Sequence, residues 1–431
     1  MNILKNKIFR NASWIVVCRI MQAVFNFLIS MLTARYLGPS NYGIINYAAS
    51  IVAFAIPIMQ LGLNNILVNE TVEHPDEEGK IFGTSILMSM GSSVVCMIGI
   101  FAFVSVANFG DIESILTCVL YSALLICQAV EMIQYWYQSK LMSKYVSVVS
   151  LIAYVIVSAY KLFLLITGKS VYWFAISNAI DYIIIAIALL IIYKKLGGQR
   201  LSFSRATAKR MFSSSKYYIV SGMMVTIFAQ TDKIMLKLML GDTETGYYSA
   251  AVTCAGMLSF VFAAIIDSIR PSILENKHID KDKYEDSVKL LYSIVIYLSL
   301  GMSVVITLLA EPIISILYGS EYSPAIAMLR IMVWYTTFSY YGGAKDVWIL
   351  AEKKQKYLLL LNMSGAICNV ILNLILIRYM GGRGACVASL ITQFLTNVVM
   401  MIVIKPLRYN FKLLIQSLNI IGVSKKLLRR K

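Results

Sequence analysis

Charge is scarce in this sequence. Asp, Glu, Lys and Arg make up 14% of 431 residues, against roughly 25% in an ordinary soluble domain. Apolar residues reach 59% and the mean hydropathy is +0.73, which excludes a soluble protein and leaves a membrane one. Histidine is almost missing: His74 and His278 are too few for a histidine proton relay or a histidine metal site in the membrane. No Gly-x-x-x-x-Gly-Lys-Ser/Thr loop occurs, so the chain carries no ATP engine of its own. The seven cysteines (Cys18, Cys96, Cys118, Cys127, Cys254, Cys368 and Cys386) all fall in apolar runs without metal-ligand spacing. They read as small apolar residues rather than disulfides, and no metal site is expected. No polar stretch on the expected outer side is long enough for a catalytic domain, which argues against an enzyme.

What is abundant is apolar runs of spanning length, about 20 residues each. Twelve are predicted, at about 13–34, 43–66, 82–107, 113–137, 146–167, 171–193, 217–240, 246–269, 287–310, 325–350, 357–379 and 384–405. The net charge of +17 suggests nucleic acid only until it is mapped. Segments expected to face inside hold 29 of the 39 Lys and Arg, and the outer ones hold only Arg35, Lys169, Arg378 and Arg383. This bias puts both termini in the cytoplasm and makes nucleic acid an unexpected partner. The acidic loop NETVEHPDEEGK fits poorly, but the rule counts Lys and Arg rather than net charge. The basic start before the first run is too long in its apolar part for a signal peptide, so it reads as an uncleaved span. The expected organisation is a six-helix bundle over 1–193, a basic cytoplasmic linker over 194–216, a second six-helix bundle over 217–406 and a basic tail over 407–431. Phe411, Leu414, Ile415, Leu418 and Ile421 share one helical face of that tail. Its apolar part is too short to span, which predicts an amphipathic helix lying in the membrane interface.

One turn is written twice. ARYLGPSNYG (34–43) closes the first run and LMLGDTETGYYSA (238–250) closes the seventh. Gly38 and Gly43 recur as Gly241 and Gly246, an offset of 203 residues. Six spans, repeated, account for it.

Polar residues inside the runs follow helical spacing. Arg19, Gln22, Asn26, Ser30 and Thr33 form one stripe in the first run, and Asn46, Ser50, Pro57, Gln60 and Asn64 another in the second. Thr226, Gln230, Lys233 and Lys237 share a face of the seventh, Arg330, Trp334, Thr337, Tyr341 and Lys345 of the tenth, and Asn362, Asn369 and Asn373 of the eleventh. Such stripes make either interhelical hydrogen bonds or the wall of a wet cavity. Five of them, spread over both halves, favour a cavity. Six cations are embedded (Arg19, Lys161, Lys233, Lys237, Arg330 and Lys345), with five acids (Glu131, Asp181, Asp232, Asp267 and Asp346). Charges in spans are costly, at roughly 2.5–3.5 kcal/mol each at the centre, so they mark function unless they snorkel. Asp232-Lys233 and Lys345-Asp346 are sequence neighbours whose side chains leave a helix about 100° apart. Each is expected to pair with another helix instead. The set of cations suits an anion of the phosphate type. Trp136, Tyr135, Tyr137, Trp173, Trp334, Tyr340, Tyr341 and Trp348 suit either an interfacial belt or the faces of sugar rings.

These residues resemble a known family. Asn11-Ala12-Ser13-Trp14, the turn ARYLGPSNYG, TDKIMLKLMLG followed by GYYSAA, YGSEYSPA from Tyr318 with Leu329-Arg330, and GGRGA before the last run stand in the order of bacterial polysaccharide flippases of the Wzx type. These belong to the superfamily that includes multidrug and toxic-compound extrusion transporters. The resemblance implies an all-α integral membrane protein of about 12 transmembrane helices, in two six-helix bundles with pseudo-twofold symmetry. It implies a substrate, an oligosaccharide repeat unit on undecaprenyl diphosphate, flipped across the bacterial cytoplasmic membrane by alternating access for surface polysaccharide biosynthesis. Expected substrate contacts are Arg19, Asn26, Lys161, Gln230, Lys233, Lys237, Arg330, Lys345 and Asn373. Asp232 stands where the family carries an acidic residue in the seventh span, and is the candidate for coupling to a proton or sodium gradient; no other cofactor is expected. Membrane lipids, and the polymerase and chain-length proteins of the same pathway, are the implied partners.

Three rival readings can be weighed. A multidrug exporter prefers an acidic and aromatic lumen for drug cations, which six embedded basic residues oppose. A peptidoglycan lipid flippase implies fourteen spans by the same resemblance, against twelve here. A membrane polymerase or glycosyltransferase needs a sizeable outer loop with catalytic carboxylates, and none is present.

Overall fold

The computed structural model describes residues 2–419, with side chains for Cys18 and for residues 20–419 except His278. Its helices, in chain order, are α1 (Asn2–Met59), α2 (Leu67–Glu73), α3 (Glu78–Ala107), α4 (Ile112–Ser122), α5 (Leu124–Val130), α6 (Gln134–Ser139), α7 (Ser143–Ile166), α8 (Val171–Lys195) and α9 (Arg205–Leu240). Then come α10 (Asp242–Ala255), α11 (Ser259–Ile279), α12 (Lys281–Leu317), α13 (Pro324–Ala351), α14 (Lys356–Met380), α15 (Gly382–Phe394), α16 (Met400–Val403) and α17 (Arg408–Ser417). Only helices satisfy their own backbone in hydrocarbon without closing a barrel.

Among the described residues, nine helices are long and apolar enough to cross a membrane, or ten if the bent pair Asp242–Ala255 and Ser259–Lys277 counts as one span. One of these, Ile20–Met59, turns at Gly38, and α13 carries Arg330, Lys345 and Asp346 in an otherwise apolar helix. Splitting the first at its turn and adding α13 brings the passes to twelve. The chain is an all-helical, multi-pass membrane protein.

Contacts divide it into two compact units, Met1–Gly246 and Tyr247–Lys431. Helix α9 packs within the first. The last twelve residues of the 194–216 stretch already belong to α9, which starts early because Ser204 caps it: its hydroxyl accepts the Thr207 amide at 3.3 Å.

In the first unit the two like turns meet. Gly38 (φ 71°) and Gly241 (φ 93°) take the same left-handed backbone, which other residues adopt only under strain. A Cβ on Gly43 would stand 1.9 Å from the Asp242 carbonyl oxygen, and one on Gly246 would stand 1.9 Å from that of Pro39. Pro39 and Asp242 are themselves equivalent positions at the same offset. The contact is therefore reciprocal, as a two-fold repeat requires.

The acidic loop that sat badly with the charge rule also finds its partners here. Arg210 of α9 donates from Nε to Glu70 and from Nη2 to Glu77, both at 3.1 Å. Glu78 pairs with Lys140 and accepts the Trp136 indole at 2.7 Å. The 199–204 segment runs along α3, where Gly79 accepts from the Ser202 amide at 3.1 Å and Thr84 accepts from that of Ser204 at 2.9 Å. Trp136 and Tyr137 are buried in this core rather than in an interfacial belt.

In the second unit α17 packs against α12. Leu413 and Leu414 are buried, Asn410 donates to the Tyr292 hydroxyl at 2.5 Å, and Ser293 donates to the Ser417 carbonyl at 2.6 Å. Ile415 and Leu418 face outward, and Ile421 lies outside the described residues. The expected apolar face was offset because Asn410 and Ser417, polar in the sequence, turn inward to hydrogen-bond.

Gly43→Ala should lower the thermal stability of the purified protein by at least about 1–3 kcal/mol, because backbone blocks the added methyl. Gly91→Ala, which meets nothing within 4 Å, should stay within about 0.5 kcal/mol. Equal melting shifts for the two would contradict the reciprocal contact.

Candidate functional site

A cavity of about 280 Å3 opens within the first unit. Helix α1 supplies Asn26, α7 supplies Tyr154, Ser158 and Lys161, and α8 supplies Asn178, Asp181 and Tyr182. The Lys161 ammonium donates to Asn178 Oδ1 at 3.1 Å. That is one neutral partner for three protons. Asp181 Oδ1 is shut off from solvent and accepts no hydrogen bond, and Glu131 lies close enough to Asp181 to interact with it electrostatically. The cavity thus holds one cation, one acid and several neutral donors, with Glu131 close to the acid.

The α7 side of this site escaped the reading of the sequence. Ser143, Ser147, Ser150, Tyr154, Ser158 and Lys161 follow steps of four, three, four, four and three, one face of a helix. Only Lys161 was singled out, because serine and tyrosine in a span draw no attention singly. Gln22 and Asn26 of α1 run beside them, so the two helices frame a polar track through an apolar bundle.

Lys237 is different. Its ammonium lies 2.8 Å from Asp111 Oδ2, 2.8 Å from Ser114 Oγ and 2.5 Å from Asp242 Oδ1. Three protons meet three oxygens, and the Tyr47 ring lies 5.9 Å away. The expected substrate contact at Lys237 thus stands in an ion-pair network in this structure. Asp111 also caps α4, accepting the Ser114 amide at 3.0 Å. Burial pushes its carboxyl up, but the hydrogen bonds from Lys237 and Ser114 outweigh this and hold it below its ordinary range.

The other expected contacts scatter. On α9, Asp232 is buried, whereas Lys233 is half-buried and has no hydrogen bond or ion pair among the described residues. Gln230 accepts from Ser50 of α1 at 3.1 Å, which ties two stripes together. The Arg19 side chain lies outside those described.

In the second unit Arg330 is exposed on α13. Lys345 is buried there, donating to Asn397 Oδ1 at 3.0 Å, in the π-helical turn Leu395–Val399 that joins α15 to α16. Its Nζ also lies 3.3 Å from Asp346 Oδ1, which corrects the expectation that these neighbours cannot pair. The Cβ vectors do diverge, but the lysine stem is long enough to bend back. Asn373 is fully buried and donates to Asn369 at 3.0 Å, one turn away. Thr337 meets Ser303 at 3.0 Å, and Tyr341 donates to Asn410 at 3.0 Å. Much of the stripe on α13 is therefore interhelical bonding.

The comparisons with known proteins agree on fold and family. A family model described as polysaccharide biosynthesis protein matches residues 8–277. The capsular polysaccharide biosynthesis protein CapF of Staphylococcus aureus is 23% identical over 394 residues, covering 89% of this chain and 96% of that one. Among solved structures, the lipid II flippase MurJ in an inward closed conformation superposes with a TM-score of 0.70 at 14% identity, over 96% of this chain and 92% of that one. An inward-facing multidrug resistance MATE family transporter reaches 0.66 at 13% identity, over 90% and 96%. The likeness shows that this chain shares their fold.

Removing Lys237 should be far costlier than removing Lys161. Lys237→Met strands two carboxylates and should cost about 3–5 kcal/mol, whereas Lys161→Met breaks one hydrogen bond and should cost about 1 kcal/mol. Thermal unfolding of the purified variants reads the difference, and equal losses would place both lysines in structural roles.

Proposed function

This chain belongs to the polysaccharide biosynthesis protein family, and we propose from that membership and from the polar track that it is a flippase for lipid-linked oligosaccharides. It is a transporter rather than an enzyme, and its substrate is a repeat unit carried on undecaprenyl diphosphate. The unit moves from the inner to the outer leaflet of the bacterial cytoplasmic membrane, with both termini of the protein in the cytoplasm. The observation that carries this reading is Lys161. Its ammonium sits in a cavity of an apolar bundle with a single neutral hydrogen-bond partner and Asp181 as its charged neighbour. A cation left in that condition in a span is costly unless an anion or water completes it.

The chemistry follows from the parts. Lys161 and Lys233 neutralise the diphosphate by charge-assisted hydrogen bonds. Asn26 and Gln230 offer amides to the glycan, while the lipid tail stays in the bilayer. Alternating access shifts the protein between two states by the difference in substrate affinity between them. Asp232 is the proposed site of coupling to a proton or sodium gradient. Polymerase and chain-length proteins of the pathway would receive the product.

Reconstituted in liposomes with a fluorescent undecaprenyl-diphosphate oligosaccharide, the protein should move label between leaflets. Lys161→Ala and Lys233→Ala should each slow transfer about ten- to a hundredfold, as loss of a charged hydrogen bond worth about 1.5–3 kcal/mol predicts. Wild-type rates in both variants would contradict the reading.

A further inference from the structure

A second cavity lies on the same track, towards the junction of α6 and α7. It encloses about 310 Å3 and is lined by Gln22 of α1, Gln134 and Gln138 of α6, and Ser143, Ser147 and Ser150 of α7. No charged side chain lines it. Among the described residues, the amides of Gln22, Gln134 and Gln138 have no hydrogen-bond partner in the protein. Ser147 donates to the Ser143 carbonyl at 3.2 Å, which leaves its lone pairs open.

We propose that this cavity is a binding site for one uncharged sugar ring of the substrate. The inference rests on the flippase reading and gives that reading a second compartment. A sugar hydroxyl both donates and accepts, and a carboxamide offers two N–H donors and a carbonyl beside them. Three amides with three serines therefore match a ring that carries hydroxyls all round. A charged ligand would lose its hydration here and find no counter-charge. The volume stands at the lower edge of the roughly 300–1,000 Å3 of small-molecule sites, room for one ring rather than a chain.

Position supports a division of labour. Gln22 and Asn26 are four residues apart on α1, as are Ser150 and Tyr154 on α7. At 1.5 Å per residue the adjoining edges of the two cavities, Ser150 and Tyr154, lie about 6 Å apart along α7, while Ser147 and Lys161 lie about 21 Å apart, so the neutral site is separate from the cation. The ring held among the glutamines has to be neutral, because no counter-charge lines the site.

Saturation-transfer NMR on the purified full-length protein in lipid nanodiscs tests this, with N-acetylglucosamine and N-acetylglucosamine 1-phosphate as probes. The neutral sugar should give a saturable signal. Gln134→Leu/Gln138→Leu, and separately Ser147→Val, should weaken its binding about fivefold or more, as loss of one or two net hydrogen bonds predicts. Lys161→Met should show the reverse pattern, losing the phosphate probe more than the neutral one. No saturable signal in the wild type would mean a cavity filled by water alone, and would overturn the proposal. So would neutral-sugar binding indifferent to both glutamine and serine variants, even if Lys161→Met lost the phosphate probe; that result would leave the flippase reading standing. A neutral site confirmed beside a phosphate probe indifferent to Lys161 would strike the flippase reading alone.

Discussion

An ammonium group carried into hydrocarbon has three protons to place, and this protein is organised around where they go. At Lys237 they go to Asp111, Asp242 and Ser114, three oxygens brought together by the end of α9, the start of α10 and the cap of α4. That lysine staples the first unit at its expected outer end. At Lys345 they go to Asn397 and Asp346, and the lysine fastens a π-helical turn against α13. At Lys161 a single asparagine takes one proton, and the charged neighbour, Asp181, shares the cavity without a hydrogen bond to it. The same residue type in the same kind of helix thus serves as glue twice and, on the proposed function, as a site once. The number of oxygens around the nitrogen separates the roles.

The backbone obeys a matching economy. Gly43 and Gly246 let the two repeated turns approach until each glycine rests against the other turn's carbonyl. Gly79 and Gly83, four residues apart on one face of α3, leave room for the 199–204 segment to hydrogen-bond along that helix. Wherever backbone must touch backbone, the side chain has been removed. Between α1 and α7, polar side chains line two cavities.

Much of this could be read from the sequence, and the reasons for the rest are physical. The repeated glycine turn was legible because a left-handed backbone demands the same residue at both places. The spans were legible because hydrocarbon tolerates few substitutes for apolar residues. The difference between Lys161 and Lys237 was hidden, since Asp111 is remote from Lys237 in the chain and only folding joins them. The acidic loop looked like an exception to the charge rule until Arg210 and Lys140 met its carboxylates. The serine stripe of α7 had the right period all along. It was missed because hydroxyls also bond back to their own helix, as Ser147 does, so a single serine in a span carries little weight.

The central claim is that the α1–α7 track is wet and holds the substrate. Single cysteines along α7 at 147, 150, 154, 158 and 161, in a protein freed of its seven native cysteines, would be reacted with a charged, membrane-impermeant thiol reagent. Positions 152, 155, 156 and 163, which turn large apolar side chains outward, serve as the lipid-facing comparison. The account predicts labelling on the track alone, with the helical period, and protection by added lipid-linked oligosaccharide. Labelling absent from the track, or equal on both faces and indifferent to substrate, would contradict it.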